Sequence, residues 1–205
     1  MDIPPADPIP AWFTPFAEQV YLRELLQQAE YLQVAYLNLV EVFNDRELDS
    51  RVNMAFSQAL AMVGAAASMS KILWPPTRNV DSRARGHAIR TRLGIDETSL
   101  LHDRAVRNDF EHFDERLDEF FQSGRTNIFD RALTPVEMLP LGPYFDPPPG
   151  SSGDGGAIFR LIDPVAGTIA VLGHSIGIDE LHAASGDVYR AAVKRFEEID
   201  RTLRS

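Results

Sequence analysis

From Leu22 to Phe43 apolar side chains return at every third or fourth residue: Leu22, Leu25, Leu26, Ala29, Leu32, Tyr36, Leu39, Val40 and Phe43. This spacing lays one apolar stripe along a long helix, whereas a strand would need an alternation of two. A stripe of that length has to be buried, so the chain is committed to packing helices in layers. Thr14 stands where an N-cap is needed. Pro15 follows at the first helical position, where its missing N–H costs nothing, and the pattern stops near Asn44.

The same reading continues along the chain. A second helix starts near Asp49 or Ser50, carries Val52, Phe56, Leu60, Val63, Ala67 and Leu73, and has to stop before Pro75 and Pro76. Its middle, Gly64-Ala65-Ala66-Ala67-Ser68, would let a neighbouring helix come close. An arginine-rich third helix over 81–93 ends at Gly94, and Asp96 can cap a fourth helix running to Ser123 with Gly124 as its stop. Ile158 to Ile162 and Thr168 to Leu172 are β-prone and flank Asp163-Pro164-Val165-Ala166-Gly167, which predicts a hairpin. From Ile178 onward Leu181, Val188, Ala192, Phe196, Ile199 and Leu203 mark a last helix, with Gly186 as a weak point.

The expected fold class is mainly α: a helical bundle with long helices, plus a small β-hairpin and a C-terminal helix. Residues 1–13 are proline-rich and aperiodic, and read as a mobile arm. Residues 14–124 form the bundle, 125–156 a Pro/Gly-rich excursion, and 157–205 the hairpin and last helix packing on the bundle as one domain overall. No repeat is evident.

Charge and composition narrow the function. The chain holds no cysteine, which removes disulfides and thiolate metal sites. Its beginning has neither a basic cluster nor an apolar core, and the uncharged run 54–70 is broken by serines and a glutamine, so a cytoplasmic protein without a membrane span is expected. A net charge of -10 opposes non-specific nucleic-acid binding over the whole surface. The arginines of 78–107 nevertheless form a basic strip, which is either a local binding face or a solvated helix face balanced by the acidic first fifty residues.

The densest chemistry lies in Arg107-Asn108-Asp109-Phe110-Glu111-His112-Phe113-Asp114-Glu115-Arg116. On a helical wheel Val106, Phe110, Phe113, Leu117, Phe120 and Phe121 share one face, the core side, while Arg104, Asn108, Glu111, His112 and Glu115 fall on the opposite half with Arg107 at its flank. Asp109 is expected, with His112, on the side away from the core. Such a face meets either water or a second copy of the chain.

Arg107-Asn108-x-x-x-His112 on a long helix of a small bundle resembles the HEPN domain family, whose signature is an arginine, a preferred polar residue after it, and a histidine separated from the arginine by four to six residues. The resemblance rests on residues 104–118, with a looser bundle likeness over 16–123. It implies a metal-independent RNA endonuclease without cofactor, its paired motifs meeting across a homodimer, in a toxin-antitoxin, defence or RNA-processing setting, where the partners would be RNA and a protein antitoxin or regulator. It also implies roles. His112 would be the general base or acid for 2'-hydroxyl attack on the adjacent phosphate, Arg107 would hold that phosphate, and Asn108 would orient His112 or a phosphate oxygen, with Arg104 and Glu111 in support. The alternative is a HEPN-like dimer without catalysis, acting as an interaction or regulatory module.

Other chemistry has less support. Asp109-x-x-His112 could be half of a carboxylate-bridged dimetal site, but the second half is missing, so no metal is expected. His87 and His102 read as surface residues and His174 and His182 as structural ones. Ser175 lacks an elbow, and the glycines of 150–156 lack a P-loop lysine. Trp12, Trp74 and Tyr144 fit either interfaces or core edges.

Overall fold

Thr14 opens the first helix as its position predicts, its Oγ1 accepting from the Ala17 N–H at 3.2 Å. In the computed structural model, which describes residues 8–45, 50–123, 128–138 and 157–204, this helix, α1, is Pro15–Asn44. It packs along α2, Arg51–Leu73, and along the last helix, α6, Ile178–Arg204. Leu22, Leu25, Ala29, Leu32 and Leu39 of the stripe are buried between them. Gly186 does not break α6, which is continuous through it. Among the described residues α2 alone is long and apolar enough to cross a membrane, and 50% of its apolar window is buried in the fold.

The end of α2 is organised by arginines. Pro75 and Pro76 have no N–H to offer its last carbonyls. Those carbonyls are instead taken by side chains: Arg85 donates to Ile72, Arg90 to Leu73 and Arg104 to Trp74. Arg85 and Arg90 lie on α3, Val80–Leu93, which ends at Gly94 with φ 67°, a left-handed cap natural to glycine. Gly86 lets α3 lie against Pro75, because a Cβ there would sit 2.5 Å from the proline Cδ. The basic strip is thus largely an internal fitting. Arg92 joins it from the other side by pairing with Glu18 of α1.

The expected fourth helix is not continuous. Asp96 does not cap it: its Oδ1 accepts from the Thr98 N–H at 2.8 Å and closes a local turn. A 3-10 turn, Leu100–His102, follows, and Asp103 Oδ1 accepts from the Ala105 N–H at 2.9 Å to start α4, Ala105–Glu111. The helix then breaks at His112 (φ -111°, ψ 29°) and resumes as α5, Phe113–Gln122. Packing accounts for the break. Val106 of α4 is in the main core, whereas Phe120 of α5 belongs to a separate cluster with Phe159; Phe113 touches both, and it and Phe120 meet the Phe159 ring edge-on at 5.9 and 4.8 Å.

The predicted hairpin is the centre of a four-stranded sheet, ordered β1-β2-β3-β4. Its strands are β1, Ile128–Leu133, β2, Ala157–Asp163, β3, Thr168–Val171, and β4, His174–Gly177. The expected excursion therefore contains a strand, which runs parallel to β2, while the other pairs are antiparallel. Register aligns Leu133, Ile162, Ile169 and Ile176 in one row across all four strands, and these residues join the helical core. The arm before residue 8, the stop at Gly124, Tyr144 and the glycine-rich run 150–156 lie outside the described residues.

Candidate functional site

Val106 anchors α4 in the core, and this fixes what its neighbours face. Arg107 is drawn inward, its side chain only 10% exposed. Its Nη2 donates to Asn108 Oδ1 at 3.0 Å, and its Nε lies 3.9 Å from Glu111 Oε1, which also meets Lys71 Nζ at 3.3 Å. Nε and Nη1 are buried without a hydrogen-bond partner. The guanidinium borders a cavity of about 20 Å³, walled by Val63, Ala66, Ala67, Leu101 and Ile176, enough for roughly one water molecule. The small residues in the middle of α2 make this space. Buried donors without acceptors cost free energy, and this space has room for one water to accept from them.

The other motif residues separate. His112 stands at the helix break, its side chain 55% exposed, with Nδ1 3.4 Å from Glu115 Oε1. Asn108 is exposed and serves Arg107 through its carbonyl oxygen. Arg104 is committed to the Trp74 carbonyl; burial, then the nearby charge of Arg107, lowers its pKa from the usual arginine range. Arg107, Asn108 and Glu111 therefore form one group, while His112 turns to Glu115 and Arg104 to the end of α2.

Asp109 corrects the wheel. It is buried, and its Oδ2 lies 2.6 Å from Nδ1 of His174 on β4, with Arg116 Nε 3.9 Å from Oδ1. Sequence reading missed this pair because 65 residues separate its members. A signal was present, since Val106, Asp109 and Phe113 follow the three-four spacing of a core face. Two of the other histidines hold local structure. His102 stacks on Trp74 at 4.8 Å, and His182 stacks on Tyr36 at 3.9 Å. Trp74 itself is buried at a core edge and donates to Glu97 at 2.6 Å.

Among the described residues no three His, Asp or Glu side chains are gathered as a metal centre requires. Several large apolar residues are exposed on α1: Phe16, Val20, Tyr31, Val34 and Leu37. Compared with protein-family models, with curated proteins and with solved structures, the chain has no match.

Proposed function

We propose that the chain is a HEPN-like, metal-independent RNA endonuclease. The observation that carries this reading is Arg107: a withdrawn guanidinium with two unbonded N–H groups, one residue before Asn108 and five before an exposed histidine at a helix break. In the reaction His112 takes the proton of a ribose 2'-hydroxyl, the 2'-oxygen bonds to phosphorus, and the bond to the 5'-oxygen breaks as that oxygen gains a proton. Arg107 exchanges its Asn108 contact for a phosphate oxygen and offsets the charge that builds there. The products are a 2',3'-cyclic phosphate and a 5'-hydroxyl. A homodimer would bring two such motifs to one cleft.

Purified protein in EDTA should cleave RNA with those ends, and Arg107→Ala and His112→Ala should each abolish cleavage with the fold intact. Cleavage at the parent rate by both variants would refute the assignment. The exposed apolar residues of α1 favour a second reading, an interaction module without catalysis. It requires the parent protein to leave every RNA tested uncut.

A further inference from the structure

We propose that His174, oriented by Asp109, is a second proton-transfer group of this site and gives its proton to the departing 5'-oxygen. The inference rests on the ribonuclease reading above. Cleavage by 2'-oxygen attack needs one group to accept a proton and another to supply one, and the Arg107-to-His112 stretch contains a single imidazole. The second comes from the sheet. Asp109 lies three residues before His112, and its carboxylate, with the side chain 6% exposed, reaches across to His174 Nδ1.

A buried carboxylate in contact with Nδ1 fixes an imidazole so that Nδ1 carries its hydrogen toward the acid. The opposite nitrogen, Nε2, is then the one free to meet substrate, and the His174 side chain is 59% exposed.

The backbone holds His174 in this pose. β3 and β4 are joined by Leu172 and Gly173, both with positive φ, 49° and 94°. Two such residues make the tight hairpin turn whose twist suits the strands, but leucine is strained in that region. Leu172 also packs against the Phe120–Phe159 cluster, as Phe113 does, and its N–H donates to the Phe159 carbonyl at 2.9 Å. The strained turn and the helix break are thus tied to the same aromatic cluster, and they carry the two imidazoles.

The proton balance is complete. His112 gains the 2'-hydroxyl proton as the 2'-oxygen–phosphorus bond forms. His174 loses the Nε2 proton to the 5'-oxygen as the phosphorus–oxygen bond breaks, and water restores both rings. Asp109 is a positioning residue that touches no substrate.

A sulfur leaving group tests this, since a thiolate departs without being protonated. Single-turnover cleavage of an oligoribonucleotide with one 5'-bridging sulfur should be compared with that of its all-oxygen counterpart. His174→Asn keeps a donor toward Asp109 and should slow the oxygen substrate by roughly 10²- to 10³-fold, yet cut the sulfur substrate within about tenfold of the parent rate. His112→Ala should be slow on both. Asp109→Asn should follow the His174 pattern with a smaller loss, and unchanged melting temperatures show that the variants are folded. Parent rates for His174→Asn on the oxygen substrate, or equal losses on both, overturn the role of His174 and leave the ribonuclease reading standing. A parent that cuts neither substrate overturns both.

Discussion

Glu18 and Arg195 close the molecule across 177 residues: Arg195 Nε donates to Glu18 Oε1 at 2.8 Å and its Nη2 to Oε2 at 3.2 Å. Arg92 holds the second oxygen as well, so one carboxylate, its side chain 2% exposed, joins α1, α3 and α6. Glu18→Gln keeps the shape and removes the charge that two guanidinium groups share. A loss of about 3 kcal/mol is expected, because breaking a buried pair leaves unmatched charge behind. Urea unfolding of parent and variant measures it, and a change under 1 kcal/mol would show the triad to be dispensable.

Arg107 should behave in the opposite way. Its Nε and Nη1 are buried without a hydrogen bond, so Arg107→Met removes that cost and retains the aliphatic packing, giving up only the Asn108 contact and the Glu111 pair at a half-exposed carboxylate. The expected outcome is unchanged or slightly raised stability, by up to about 1 kcal/mol, together with complete loss of RNA cleavage. Thermal melting and the cleavage assay on one preparation decide it. A variant clearly less stable than the parent would mean that the guanidinium supports the fold.

Gly86→Ala addresses the joint between α2 and α3. Its new methyl group would lie 2.5 Å from Pro75 Cδ and 2.8 Å from the Leu73 carbonyl oxygen, the oxygen to which Arg90 donates. Backbone has to move, and overpacking of this kind costs about 2 kcal/mol. Denaturant titration should show that loss, while Gly64→Ala, with nothing within 4 Å of the added methyl, should show none.

Tyr36 provides a prediction in pH. Its hydroxyl donates to Asp179 Oδ1 at 3.0 Å, and that hydrogen bond, then burial, then the aspartate charge raise its pKa above the usual tyrosine value. The folded state therefore holds the phenolic proton more tightly than the unfolded chain. This contribution is fully present below about pH 10, where the unfolded tyrosine titrates, and is lost as pH rises through the folded value. Stability measured from pH 8 to 11 should fall less steeply in Tyr36→Phe than in the parent. Identical slopes would remove Tyr36 from the alkaline transition.

Local rules made the ends of the helices legible. Thr14 with Pro15, Ser50, the Pro75-Pro76 pair and Gly94 each act within a few residues, and the described elements begin or end at them. What depends on distant partners was not legible. β4, His174-Ser175-Ile176-Gly177, and β1, with Asp130 and Arg131 at its centre, are poor in β-branched residues, and both are defined by the neighbours they pair with. The break at His112 comes from two packing directions imposed by different layers. Arginines near a charged helix read as surface, and only the fold shows Arg85, Arg90 and Arg104 turned toward carbonyls. In the candidate site the Arg107–Asn108 contact was within reach of the sequence, whereas the Asp109–His174 contact needed the sheet.

The arginine closure of α2 also sets a clock. Its carbonyls are met by groups only 13, 17 and 30 residues downstream, and loops of that size close with modest entropy on a submicrosecond scale. Glu18 has to wait for Arg195, 177 residues later. In a chain made from the N-terminus the α2–α3 joint can therefore be settled while α6 has yet to be synthesised. The Glu18 carboxylate can meet Arg92 of α3 early, but its second guanidinium comes only with the last helix, so the triad that joins α1, α3 and α6 is completed late in the life of the nascent chain.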